Sequence, residues 1–170
     1  MRIRLPPTSE NLAYLLGFHC GDGSLGKPQP RERRGFRFKI SACFSGSERG
    51  RIQAKCFCDI FKRLFNYDPI VFNKKRKGRK SWLEVEINSA VIHAYFCLLG
   101  LPIGEKYGKL KVQSVVFTET LFKEFLRGLI DSDGHVGKKA QGRDSSERYE
   151  FLASGKGAIN EVSKRQILNS

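Results

Sequence analysis

Two aspartates, Asp22 and Asp133, each close an apolar stretch and each precede a glycine: LLGFHCGDG at 15–23 and LRGLIDSDG at 126–134. A glycine after the acid can take the left-handed turn that stops a helix, so each stretch reads as a helix whose last turn delivers a carboxylate. Gly17 and Gly21 are four apart, as are Gly128 and Ser132, which puts small residues on one face of each helix. Two such faces let helix backbones approach closely, and the helix ends then meet. Carboxylates at the negative ends of two helix dipoles repel one another unless a cation lies between them. A hard divalent ion with oxygen ligands, Mg²⁺ above all, meets that need. One Asp-Gly alone is an ordinary helix stop. A matched pair is a candidate metal site.

The surrounding elements must carry these ends. Thr8 or Ser9, after Pro6 and Pro7, caps a helix through ENLAYLLGFHC. The basic segment after Gly23 reads as a short strand and a charged loop. GFRFKISACF then alternates, with Phe36, Phe38 and Ile40 expected inward and Arg37, Lys39 and Ser41 outward. A helix follows over SERGRIQAKCFCDIFKRLFN, with Ile52, Cys56, Ile60, Phe61 and Leu64 at helical spacing. IVFN and SWLEVEIN read as strands around the basic loop KKRKGRK, and SAVIHAYFCLLG as a helix stopped by Gly100. After the linker 101–117, a helix from about Thr118 leads to the second Asp-Gly. A second cycle follows: HVGKK, a loop, the strand RYEFLAS and a helix around AINEVSKRQIL. The chain thus carries an internal repeat of about 110 residues whose second copy stops early.

Composition narrows the partners. The 170 residues include 31 Lys and Arg against 17 Asp and Glu, a net charge of +14, which favours a polyanion. No apolar run is long enough to span a membrane, and MRIRLPPTSENL lacks a signal-peptide core, so an intracellular protein is expected. Five cysteines without a framework spacing read as reduced thiols, and CFC lacks the paired spacing of a zinc site.

These residues resemble the LAGLIDADG homing endonucleases, in the form in which one chain carries both motifs. The resemblance implies an α+β fold of pseudo-symmetric αββαββα repeats, with the motif helices at the interface and antiparallel saddle-like sheets against DNA. The first repeat with its linker would occupy 1–112, and the second, incomplete repeat 113–170. Asp22 and Asp133 would bind Mg²⁺, helped by the backbone carbonyls of Gly21 and Ser132. Lys106 would stand beside the metals as a catalytic cation, with Lys109 and Lys111 as rivals for that place. His19 is expected to be structural.

The implied activity is site-specific double-strand cleavage of a long asymmetric target, in intron or intein homing, by a monomer with pseudo-dimeric halves. The alternatives are an RNA maturase acting on intron RNA, or a catalytically inactive nucleic-acid-binding remnant. Arg37 and Lys39 would reach base edges in the major groove. Lys27, Arg31, Arg33, Arg34 and the run Lys74, Lys75, Arg76, Lys77, Arg79 and Lys80 would grip phosphates from loops, and Lys138, Lys139, Arg143 and Arg148 would do so more sparsely in the second copy. Engaging six to ten phosphates predicts a loss of roughly 10³–10⁵ in affinity between 50 and 200 mM salt. Glu84 and Glu86 do not fit: with Leu83, Val85 and Ile87 inward, both acids face the DNA, where phosphate repels them unless they accept from cytosine amino groups.

Overall fold

The computed structural model describes residues 2–31, 35–78, 80–106, 118–138 and 149–153, the side chains of Arg31, 133–138 and 149–153 excepted. The first helix, α1 (Glu10–Gly21), begins at Ser9, whose hydroxyl accepts from the Leu12 amide, and ends at Asp22. A short strand β1 (Gly23–Leu25) follows, then a hairpin of β2 (Gln29–Arg31) and β3 (Gly35–Arg37), then β4 (Lys39–Ser45). Helix α2 (Glu48–Phe65) is capped by Ser47 and closed by Asn66 in the left-handed conformation. Strands β5 (Ile70–Lys74) and β6 (Trp82–Asn88) lead to α3 (Ala90–Leu98). Helix α4 (Glu119–Asp133) carries the second Asp-Gly, and β7 (Gly134–Lys138) pairs antiparallel with β8 (Tyr149–Ala153).

Strands β1, β4, β6 and β5 form, in that order, one antiparallel sheet. Its inner face, with Ile40, Ala42, Phe44, Val85 and Ile87, is buried against the helices. A column of aromatic rings fills the space between: Phe18 stacks on Phe44 with centroids 4.8 Å apart, and Phe57, Phe61, Phe65 and Phe96 continue the contact. Each fully buried Phe stabilises the fold by about 2 kcal/mol or more. This core fixes one end of α1 against the sheet and so fixes where Asp22 emerges.

Two expected faces differ from the structure. The strand over GFRFKISACF is interrupted at Phe38: β3 leaves the main sheet to pair with β2, and Phe36 is 60% exposed rather than inward. From Lys39 onward the strand lies against β6, and Ile40, Ala42 and Phe44 are buried as expected, while Ser41, expected outward, is buried as well, its hydroxyl bonded to that of Ser24. On α2 the buried stripe is Gly50, Ala54, Phe57, Phe61, Leu64 and Phe65, while Ile52 is 59% exposed and Cys56 lies outside the core. The aromatic residues claim the core because they bury more area than Ile or Cys. Ile52, Cys56 and Ile60 instead line a groove of about 460 Å³ with Tyr14, Arg127 and Asp131.

Of the second copy, α4, β7 and β8 match the expected helix and strands. The expected last helix, the boundary at 112/113 and the hairpin-tip residues Arg33 and Arg34 lie outside the described residues, as do Arg79, Lys109, Lys111, Lys139, Arg143 and Arg148. Among the described residues no helix is long and apolar enough to cross a membrane.

Candidate metal centre and nucleic-acid interface

The two Asp-Gly helices cross through their glycines. A Cβ on Gly17 would overlap the carbonyl oxygen of Phe125 and stand 3.0 Å from the Leu129 nitrogen. A Cβ on Gly128 would overlap the carbonyl oxygen of Tyr14 and stand 2.8 Å from the Phe18 nitrogen. Tyr14, Gly17 and Phe18 hold the same places in the first repeat as Phe125, Gly128 and Leu129 in the second. The crossing therefore obeys a local two-fold relation, each glycine seated on the other helix between two equivalent residues. Only glycine permits that backbone approach. The same correspondence pairs Asp22 with Asp133, Gly21 with Ser132 and Cys20 with Asp131.

At the end of α1, Asp22 is exposed at the C-cap position, and its carbonyl accepts from the Cys43 amide at 3.3 Å. Lys106 enters from the segment after α3, which is tied to the sheet edge: Ile103 bridges Leu25, and the Gly104 amide donates to the Leu25 carbonyl at 2.7 Å. Gly104 holds the left-handed φ of 80° that this turn needs. The Lys106 Nζ donates to the carbonyls of His19 and Cys20 at 3.1 Å each, to Gly23 at 2.8 Å, and to Gly21. Carbonyls at a helix C-terminus carry partial negative charge, and here they converge on a cation.

The donors at this end, the Gly21 carbonyl and the Asp22 carboxylate, are hard oxygens of the kind Mg²⁺ takes. Among the described residues no three His, Cys, Asp or Glu side chains gather as a cation site. On the other helix Asp133 closes α4, its side chain not described, and the Ser132 hydroxyl donates to the Leu129 carbonyl at 2.9 Å.

His19 lies in the core rather than at the site surface. Its ring packs on Phe57 and Phe96, and Nδ1 shares a hydrogen bond with the Leu15 carbonyl at 3.1 Å. Burial is the main cause that lowers its pKa to about 4, so it is neutral at pH 7. Burial likewise pushes the Cys20 thiol up to about 12 and raises Cys43, whose neighbours Glu84 and Asp22 add to the effect. All five cysteines are unpaired thiols.

The outer face of the sheet holds the candidate nucleic-acid contacts. Arg37 and Lys39 both lie there, but each is ion-paired: Arg37 with Glu86, and Lys39 with Glu84 and Glu86. Lys74 sits 5.0 Å over the Phe72 ring and Arg76 5.8 Å over Trp82, while Lys75, Lys77 and Lys80 are exposed around the β5–β6 loop. Lys27 is exposed between β1 and β2, near the turn that carries Lys106. Arg31 ends β2 and Lys138 ends β7, their side chains not described.

Sequence reasoning missed a polar contact between the helices. The Tyr14 hydroxyl donates to Asp131 at 3.1 Å, and the Arg127 guanidinium lies 4.8 Å over the Tyr14 ring. Tyr14, three residues before Gly17, sits on the same helix flank, which is the signal that could have found it.

No family model matches the sequence, and no curated protein matches it. Solved structures do. The fold is similar to that of mesophilic variants of the homing endonuclease I-DmoI, at TM-score 0.51 and 18% identity over 74% of this chain and 62% of that one. I-DmoI in complex with DNA and Mn gives TM-score 0.52 and 18% identity over 74% and 63%. The LAGLIDADG meganuclease I-AabMI bound to uncleaved DNA matches at TM-score 0.44 and 11% identity, over 85% and 65%. The chain has the fold of the homing endonuclease I-DmoI. It spans less than two thirds of the length of each of these solved structures.

Proposed function

We propose that this chain is a site-specific DNA endonuclease, hydrolysing phosphodiesters in both strands of a long asymmetric duplex in intron or intein homing. The observation that carries the reading is the two-fold crossing at Gly17 and Gly128, which sets an Asp-Gly at the end of each of two packed helices. The fold it shares with a DNA-bound, Mn-bound homing endonuclease supports the substrate and the use of a divalent cation.

Asp22 and Asp133 would hold Mg²⁺ with the carbonyls of Gly21 and Ser132. A divalent ion bound there would supply Lewis acidity and activate a water for attack on phosphorus. Lys106 would offset charge on the scissile phosphate from its place beside Gly21 and Gly23. Arg37, Lys39 and the loop cations Lys27, Arg31, Arg33, Arg34, Lys74, Lys75, Arg76, Lys77, Arg79 and Lys80 would hold the duplex, with Lys138, Lys139, Arg143 and Arg148 on the second half-site. The protein would act as an intracellular monomer, residues 1–112 on one half-site and 113–170 on the other.

The test is a Mg²⁺-dependent cleavage screen against a library of long DNA targets, with Asp22→Asn and Asp133→Asn as controls. Cleavage of one target that requires both aspartates supports the reading. Cleavage that persists in either variant refutes the metal assignment, and no cleavage with tight binding to one structured intron RNA points to a maturase.

A further inference from the structure

Glu84 and Glu86 stand on β6 opposite Cys43 and Ser41 of β4, on the outer face of the sheet. Their side chains are only 16% and 10% exposed, because basic side chains from three other strands close over them. Arg37 reaches from β3 to one oxygen of Glu86. Lys39 of β4 pairs with Glu84 and lies 3.6 Å from the other oxygen of Glu86. Lys74 of β5 lies 3.9 Å from the second oxygen of Glu84. In spatial order the groups run Arg37, Glu86, Lys39, Glu84, Lys74, so charge alternates along the row. Two of its three positive charges are cancelled within the protein. Arg37 Nε, buried, has no hydrogen-bond partner among the described residues and remains a spare donor.

This arrangement changes what the face offers to a duplex. Phosphate is what every DNA sequence presents, and a phosphate approaching this row meets cations whose charge is already engaged by the carboxylates beneath them. Drawing Arg37 or Lys39 onto a phosphate would strand a poorly hydrated carboxylate beside another negative charge. Base edges differ, because they present both signs: guanine accepts from Arg, and the amino group of cytosine donates to Glu. A face of alternating charge therefore gains from the right base edges and gains little from phosphate alone.

We propose that Glu84 and Glu86 are specificity-determining residues that keep Arg37 and Lys39 from contributing to the binding of DNA in general. The inference rests on the DNA reading above. It assigns the two acids the task of lowering affinity for non-target duplex.

The experiment measures binding of a random-sequence duplex by fluorescence anisotropy across a salt series, for the unaltered chain and for Glu84→Gln/Glu86→Gln. Glutamine keeps the size and one acceptor oxygen, and a thermal melt checks the fold. Freeing two cations should steepen the slope of log K against log salt by about 1.8 and tighten binding at 0.1 M salt by some tens of fold. Adding Arg37→Gln and Lys39→Gln to the double variant should return the slope to its starting value, which a merely structural role for the acids would not do. The single variants Glu84→Gln and Glu86→Gln should each give about half the change in slope, and they decide the matter if the double variant does not fold. An unchanged or shallower slope in folded variants overturns this inference alone. Binding by the unaltered chain that does not respond to salt overturns the DNA reading and this inference with it.

Discussion

The replacement Gly17→Ala probes the crossing on which the candidate site depends. The added methyl would overlap the Phe125 carbonyl oxygen, which is backbone and cannot rotate away. To restore van der Waals contact, α1 and α4 would have to part by about 1.5 Å. Overpacking of this kind costs about 3 kcal/mol, and the better helix propensity of alanine offsets about 1 kcal/mol. The net loss is about 2 kcal/mol, read as a lower urea midpoint with an unchanged m-value. Gly128→Ala should cost a similar amount, because its methyl would overlap the equivalent Tyr14 carbonyl. The double variant should cost clearly less than the sum, since one separation of the helices relieves both overlaps. Lys55→Ala, on the exposed face of α2, supplies the baseline and should stay within about 0.5 kcal/mol of the unaltered chain. Single variants as stable as that baseline, or a fully additive pair, would refute the shared crossing.

Acid should destabilise the fold through His19. The unfolded histidine takes up a proton below its ordinary 6.5, whereas the buried ring does so only near 4. Its contribution is therefore complete above pH 6.5 and is lost as pH falls toward 4, by roughly 3 kcal/mol in all. Urea midpoints against pH should show this slope, and His19→Leu should flatten it; an equal slope in that variant would count against the assignment. Lys106→Met removes the donor to four carbonyls at the end of α1 and should cost about 1–3 kcal/mol in urea unfolding while abolishing the proposed cleavage. Tyr14→Phe removes one hydrogen bond to Asp131 and should lower stability by about 1 kcal/mol in a thermal melt, with no effect if that contact is absent in solution.

Much of the fold is written in local pattern. Ser9, Ser47 and Ser89 cap the helices they precede, and the alternation in SWLEVEIN places Val85 and Ile87 in the core. The repeated Gly and Asp-Gly spacing located both interface helices, because a backbone crossing tolerates no Cβ and so leaves its mark in residue type. The stripe on α2 was less legible. Ile52, Cys56 and Ile60 keep helical spacing as well as Phe57 and Phe61 do, and only the shape of the space under the sheet chooses between them. Phe36 reads as inward in an alternating strand, yet β3 turns away to pair with β2, a choice made by non-local hydrogen bonds.

By itself, the sequence determined the two helices, their glycine faces, their terminal aspartates and a basic sheet, since each depends on residues near one another in the chain. Tertiary structure alone decided what Lys106 and the two glutamates touch. Lys106 reaches the end of α1 because Gly104 and Ile103 bind the edge of β1, far away in sequence. Glu84 and Glu86 looked misplaced until the register of β4 against β6 set them beside Lys39 and below Arg37. Register is fixed by the burial of the opposite face, where Ile40, Ala42 and Phe44 must meet Ile87, Val85 and Leu83. The charge pattern on the outer face therefore follows from packing on the inner one.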